Sequence, residues 1–224
     1  MKDLSQVDFK GRISFCGLSE PYLHKQLLEL VQMTKKYCPN AFVDILTNGD
    51  YTTVENTKKL FDSGLDNLKI SMYDGPEQID KFKKVQEECR LTNEQFAARP
   101  RYLSEEETFG LTINNRGGVV DLKEYNVVPL EQPLERSCYY PFHKVVVDVD
   151  GDVMICPNDW QKNYVAGNLK KESIFKIWNG PKYKEARLRL IDKDRTNNPC
   201  KNCDVDGTLY ANLHFKAWKE YYNN

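Results

Sequence analysis

Between residues 12 and 103 the chain alternates short apolar runs with stretches of helical period, and few folds accept that alternation. Arg12-Ile13-Ser14-Phe15-Cys16 reads as a strand, followed by a turn through Gly17 to Pro21. Leu23, Leu27, Leu28, Leu30 and Val31 mark one face of a helix that fades near Lys35-Lys36, with Pro39-Asn40 as its stop. Residues 41–46 form a second expected strand, closed by Asn48-Gly49, and a helix over about 53–63 follows with Gly64 as its cap. Residues 67–72 read as a third strand, and Asp74-Gly75-Pro76 turns into a helix reaching about Cys89. Residues 96–103, interrupted by Pro100, suit an edge strand. Strands alternating with helices in this way build βαβ units, hence a parallel sheet.

After Gly117-Gly118 the pattern changes. Residues 121–135, with Pro129 and Pro133, read as a linker. Residues 143–149 and 152–156 flank Asp150-Gly151, a strong hairpin signal. Asp148-Val149-Asp150-Gly151-Asp152 is no calcium loop, because its glycine comes too early and no glutamate stands at the bidentate position. Helices are expected near 171–178, 181–191 and 211–222. The expected fold class is α/β: an incomplete parallel barrel over residues 1–120, a linker over 121–137 and a small α+β domain over 138–224.

A net charge of −1, with acidic and basic residues interspersed, offers no field for nucleic acid. No apolar run approaches the roughly 18 residues of a membrane span, and Met1-Lys2-Asp3-Leu4 lacks a signal-like apolar core. Seven cysteines, an odd number, point to a reducing compartment, and the cytoplasm is the expected location.

Four of those cysteines sit late in the chain. Cys138 and Cys156 are spaced C-x17-C, and after 43 residues Cys200 and Cys203 form a C-x2-C knuckle. Thiolates suit both iron–sulfur clusters and structural zinc, and a two-residue gap lets two sulfurs converge on one centre from a single turn. Zinc ribbons usually pair two such knuckles, whereas only one half has that form here. Cys16, Cys38 and Cys89 are scattered and read as small structural thiols. His24, His143 and His214 show no ligand spacing, and His143 reads as a solvent-facing strand residue.

In their joint order, several short segments resemble the radical S-adenosylmethionine enzymes, in the branch with a C-terminal SPASM or twitch-type domain. Phe15 to His24 is similar to the family's G-x-G-E-P segment, Thr47-Asn48-Gly49 to its T-N-G turn, and Ile70 to Gly75 to the end of its fourth barrel strand. Asn115-Arg116-Gly117-Gly118 is similar to an N-R-x-G element ahead of the auxiliary domain. Cys138-Tyr139-Tyr140-Pro141-Phe142, the hairpin to Cys156, Asp159-Trp160, Gly167-Asn168-Leu169, Ile177-Trp178-Asn179 and Cys200 to Cys203 then follow in SPASM order.

The resemblance implies one auxiliary [4Fe–4S] cluster on Cys138, Cys156, Cys200 and Cys203, with Tyr139, Tyr140, Phe142 and Trp160 packed around it. It also implies S-adenosylmethionine at the C-terminal ends of the strands. There Gly17 would let backbone approach the methionine portion, and Glu20 would offer its carboxylate to the ammonium group. Ser19 stands where the family usually has a second glycine. Ser71 would contact ribose or carboxylate, or be an ordinary strand end. Asn48 would line the site or merely turn the chain, and Arg116 would bind an anionic group or cap the sheet. The implied chemistry is reductive formation of a 5′-deoxyadenosyl radical that abstracts a substrate hydrogen, with the auxiliary cluster relaying an electron or anchoring substrate.

These enzymes carry a C-x3-C-x2-C loop after the first barrel strand, and the 224 residues contain none. The expectation is therefore a chain inactive alone, whose first segment is lost, supplied by a separate chain or left out of a fragmentary gene model. Its other expected partners are an electron donor and a peptide or small-molecule substrate. The alternative is a non-catalytic iron–sulfur or zinc module that binds a partner.

Overall fold

Val43 and Ile45 flank Asp44, and Leu68, Ile70 and Met72 alternate with Lys69 and Ser71, so strands there have one apolar face and one that carries polar residues. The computed structural model of the protein describes residues 1–17, 19–101 and 114–224. Leu18 and the last two residues of the expected strand 96–103 lie outside the described residues. Two units divide the chain, Met1–Thr112 and Ile113–Asn224.

In the first unit a short helix α1 (Lys2–Ser5) leads into β1 (Arg12–Phe15), α2 (Leu27–Tyr37), β2 (Phe42–Thr47), α3 (Val54–Asp62), β3 (Asn67–Met72), α4 (Gln78–Glu88) and β4 (Phe96–Pro100). The four strands are parallel and adjacent in chain order. Leu27 and Val31 of α2, Leu60 of α3, and Phe82 and Val85 of α4 bury against Val43, Ile45, Leu68, Ile70 and Met72. On the polar face Asp44, only 3% exposed, accepts from Arg12, Ser14 and Lys69. Two cations and a hydroxyl thus offset the cost of burying that carboxylate. Thr53 starts α3 by accepting the Asn56 N–H at 3.1 Å. Pro100 ends β4 at the sheet edge, where its missing N–H costs least. Four parallel strands backed by helices form an incomplete α/β barrel, as the alternation predicts.

The second unit is small and α+β. Its helix α5 (Tyr140–His143) precedes β5 (Val146–Val147), β6 (Asp152–Met154), β7 (Val165–Asn168), α6 (Ile174–Trp178), α7 (Pro181–Ile191) and α8 (Asn212–Asn223). The strands form an antiparallel sheet in the order β5-β6-β7, and Val153 packs with Ile155, Ile177, Tyr183 and Ala186. Two features depart from expectation. β7 has no alternating signature and carries Gly167, where a Cβ would stand 2.7 Å from the Ile177 side chain. His143 ends a helix instead of lying on a strand, with its Nδ1 2.8 Å from the Tyr139 carbonyl. Among the described residues no helix is long and apolar enough to cross a membrane.

Candidate functional site

Cys138 stands two residues before α5, Cys156 two residues beyond β6, and Cys200 and Cys203 lie in the turns after α7. Cys138 and Cys203 are buried, and Cys156 and Cys200 are partly so. Burial raises all four thiols, Cys156 well above its ordinary value and Cys200 up to about 12. Beyond burial, Cys156 is raised further by the charges of Cys138, Cys200 and Cys203, Cys200 by those of Cys138 and Cys203, and Cys203 by that of Cys138. Mutually repelling thiolates of this kind are stabilised by a cationic centre, which releases their protons on binding.

The backbone supports the same charge. The Asn158 N–H donates to Cys156 Sγ at 3.3 Å. The N–H groups of Tyr140 and Val205 likewise face Cys138 and Cys203, each from two positions further along the chain. Hydrogen bonds to cysteinyl sulfur are among the features that set an iron–sulfur potential. Donors of this kind, four thiols and no imidazole, fit a [4Fe–4S] cluster, in which each thiolate takes its own iron. A single zinc ion would instead need all four sulfurs about 2.3 Å from one point. Among the described residues no three His, Cys, Asp or Glu side chains are placed to hold one metal ion, which bears on a cluster and a zinc site alike.

The aromatic residues divide. Tyr140 and Phe142 pack beside Cys138 and Cys200. Tyr140 is raised by burial and then by the charges of Cys156 and Cys138. Tyr139 stacks on Phe215 with ring centroids 4.4 Å apart. Trp160 is 41% exposed and lies under the Arg116 guanidinium, 5.1 Å from it. Arg116 also donates to Asn158 Oδ1 at 3.3 Å, so it belongs with the loop after Cys156. Two residues that sequence patterns did not single out organise this unit. Asn115 is fully buried and bonds the Cys203 turn, and Arg195, 2% exposed, bonds carbonyls beside Cys138 and Cys203. Asn115 had a signal in the N-R-x-G element, whereas Arg195 had none.

In the first unit, Gly17, Ser19 and Glu20 follow β1, Asn48 follows β2, and Ser71 lies near the end of β3. Gly17 adopts φ +142, open to glycine and rarely to other residues, and among the described residues no atom beyond its chain neighbours lies within 4 Å of a Cβ built there. That leaves backbone exposed beside open space. Ser19 is exposed. The Glu20 carboxylate accepts from Tyr22 N–H (3.2 Å), Thr47 Oγ1 (2.6 Å) and Asn48 N–H (2.9 Å). It therefore caps the Pro21–Leu23 turn and ties the ends of β1 and β2, with one of about four acceptor positions left over. The Asn48 side chain turns back on its own loop, accepting from Asp50 N–H at 3.1 Å and donating to the Asp50 carboxylate at 2.7 Å. Ser71 is buried and accepts from Arg101 Nε at 3.2 Å. Glu20 and Asn48 are thus brought together, while among the described residues no hydrogen bond joins Ser71 to either.

Comparison with known proteins bears on the family and the fold. The SPASM family model, an iron–sulfur cluster-binding domain, matches residues 138–204. The S-adenosyl-L-methionine-dependent 2-deoxy-scyllo-inosamine dehydrogenase of Niallia circulans is 32% identical over 205 residues, covering 91% of this chain and 77% of that protein. The crystal structure of BtrN in complex with AdoMet and 2-DOIA superposes with a TM-score of 0.75 at 29% identity, covering 91% of this chain and 76% of that one. Native anSMEcpe with bound AdoMet gives 0.53 at 13% identity over 99% and 84% of the two chains, a likeness of fold alone. With that relationship, a parallel α/β sheet and an iron–sulfur domain over its last third, the chain belongs to the radical S-adenosylmethionine family, in the branch that carries a SPASM-type domain.

Proposed function

We propose that Cys138, Cys156, Cys200 and Cys203 hold one [4Fe–4S] cluster, and that the chain serves the S-adenosylmethionine-dependent oxidation of a hydroxyl group on a small polyhydroxylated substrate. The match of the iron–sulfur cluster-binding domain model to residues 138–204, which spans all four buried or half-buried cysteines, is the observation that carries the cluster assignment. The oxidation and its substrate class follow from the 32% identity to a dehydrogenase of 2-deoxy-scyllo-inosamine. Converting CH–OH to C=O removes two electrons and two protons. S-adenosylmethionine, given one electron from a cluster on a C-x3-C-x2-C loop that these 224 residues do not contain, would supply the hydrogen-abstracting radical, and the auxiliary cluster would supply a one-electron acceptor.

This chain's own residues position and shield those groups. Exposed Gly17 backbone and the spare acceptor position on Glu20 suit an amino-acid moiety, held against the turn that Thr47 and Asn48 complete. Ser71 presents a hydroxyl on the polar sheet face, oriented by Arg101. Tyr140 and Phe142 keep water from the thiols. Four thiolates on four irons leave no open coordination position, which favours electron transfer over substrate ligation.

Protein purified without oxygen should be brown, absorb broadly near ~400 nm, and carry about four irons and four sulfides per chain. Colourless protein holding one zinc would overturn the cluster assignment. For the substrate, saturation-transfer NMR should detect 2-deoxy-scyllo-inosamine on the cluster-loaded chain and no signal from unstructured peptides of similar mass. The reverse preference would overturn the substrate class.

A further inference from the structure

Arg195 lies in the polar turn after α7, yet it is 2% exposed. Its guanidinium donates to four backbone carbonyls: Nε to Arg136 (2.9 Å), one terminal nitrogen to Val205 (2.7 Å), and the other to Ser137 (2.9 Å) and Asp206 (2.6 Å). These acceptors come in two pairs. Residues 136 and 137 lead into Cys138, and residues 205 and 206 follow Cys203. One side chain thus staples two cysteine-bearing loops.

Carbonyl oxygens satisfy the donors but bring no negative charge. The neighbouring carboxylates are committed elsewhere, Asp194 to Arg189 at 2.9 Å and Asp206 to Arg136 and Thr208. Asp204 accepts from the Asn115 N–H, and among the described residues no carboxylate forms an ion pair with Arg195. A buried cation without an anion is strongly unfavourable, so a counter-charge is needed close by. As thiolates on the cluster, Cys138 and its fellow ligands would supply one. Gly207 shows how near they are: a Cβ there would stand 2.3 Å from Cys138 Sγ and 3.2 Å from a terminal nitrogen of Arg195. Arg187, the other deeply buried arginine of this unit, is met by aromatic faces instead, at 4.0 Å from Trp178 and 3.8 Å from Trp218.

We propose that Arg195 is a positioning and potential-setting residue for the cluster: it aligns the Cys138 and Cys203 loops, and its buried charge raises the cluster's reduction potential. The proposal rests on the cluster assignment above. A cluster with four thiolates gains a negative charge when it accepts one electron, and a fixed cation nearby stabilises that reduced form more than the oxidised one. A higher potential is what an acceptor of substrate electrons needs.

The test compares the wild-type chain with Arg195→Gln and Arg195→Lys, each loaded anaerobically with iron and sulfide and reduced with dithionite at controlled potentials. Iron content and the EPR signal of the reduced cluster are read. Poised where the wild-type cluster is half reduced, Arg195→Gln should show a reduced-to-oxidised ratio about tenfold lower, equivalent to 59 mV for a one-electron couple. Arg195→Lys, which keeps the charge, should stay within about threefold of wild type. A loaded Arg195→Gln cluster with an unchanged or raised ratio would overturn the proposal. If Arg195→Gln takes up no iron while Arg195→Lys does so near the wild-type potential, the charge role stands. Loss of the cluster in both variants would leave Arg195 a loop staple only and sink the charge role. A wild-type chain that takes up no iron would instead refute the cluster assignment, a separate result.

Discussion

Asn115 and Asp204 clasp each other in both directions. The Asn115 N–H lies 3.0 Å from each oxygen of the Asp204 carboxylate, and the Asp204 N–H donates back to Asn115 Oδ1 at 3.3 Å. The Asn115 amide nitrogen also donates to the carbonyls of Val128 (2.9 Å) and Asn202 (2.7 Å), and its oxygen accepts from Gly118 N–H at 3.0 Å. A residue with no exposed surface therefore fastens the 114–120 segment to the turn that carries Cys203.

Removing the Asn115 side chain should be costly for its size. Asn115→Ala strands the N–H of Asp204 and the carbonyl of Val128, while the Asn202 carbonyl keeps the Leu130 N–H, and this costs about 2–3 kcal/mol. Denaturant unfolding of the metal-free chain measures this directly. A loss under about 0.5 kcal/mol would mean that water replaces the clasp.

Alanine at Cys138, Cys156, Cys200 or Cys203 should each lower iron content to well under half of the wild-type value, because metal binding contributes folding energy in a small metal-held unit. Alanine at Cys38 or Cys89 should leave it unchanged, since both lie in the first unit. Iron assays and visible absorption on the six variants check this. Retained cluster in Cys200→Ala and Cys203→Ala would mean that the C-x2-C knuckle is not part of the centre.

The strands of the first unit were legible because burial on one face writes a period of two, and β3 spans residues 67–72 as the pattern predicts. The third strand of the second unit was not. Val165-Ala166-Gly167-Asn168 has no alternation, and pairing with β6 places it. Helix α5 was hidden by Pro141, which suggests a break although proline is tolerated in a first turn. The four cysteines announced themselves by spacing. Arg195 did not: a lone arginine in a polar run looks solvated, and its acceptors are backbone carbonyls, which carry no residue signature. Asn115 was passed over for its charged neighbour Arg116, although the amide can donate and accept at once.

Lys162 holds three carboxylates, those of Asp148, Asp150 and Asp152. Burial would raise the Asp148 carboxyl, but the Lys162 ammonium and two backbone N–H groups outweigh it and hold it below the ordinary 3.8. A depressed folded value stabilises the hairpin above the unfolded value, and that contribution is lost as pH falls through the folded one. In Lys162→Met the Asp148 carboxyl should titrate higher by NMR, and the variant should melt below wild type at pH 7. An unmoved carboxyl would show that the N–H groups suffice.

Glu20 separates two roles by substitution. Glu20→Gln can keep an oxygen for Thr47 and Tyr22 but then sets an NH2 against the Asn48 N–H, and it loses the charge that would meet an ammonium. Its stability should fall by about 1–3 kcal/mol, the cost of the unmet Asn48 N–H. Its S-adenosylmethionine affinity should fall about tenfold, or 1.4 kcal/mol, by equilibrium dialysis. Unchanged affinity would reduce Glu20 to a cap for the Pro21–Leu23 turn.

The last prediction concerns cleavage. Reductive cleavage in this family needs an iron with an open coordination position, which a C-x3-C-x2-C loop supplies by filling three of four sites. The 224 residues contain no such loop, and the four thiols of the second unit would fill every site of their own cluster. The 224-residue chain, reconstituted with iron and sulfide and given dithionite, should therefore release no 5′-deoxyadenosine above background. Weak cosubstrate binding through Gly17 and Glu20 should persist, because neither depends on the metal. Adding a segment that bears C-x3-C-x2-C, fused or as a second chain, should restore cleavage, read by chromatography of 5′-deoxyadenosine. Robust cleavage by the 224 residues alone would mean that one of the four thiols leaves its iron open, and the electron-acceptor role of that cluster would have to be abandoned.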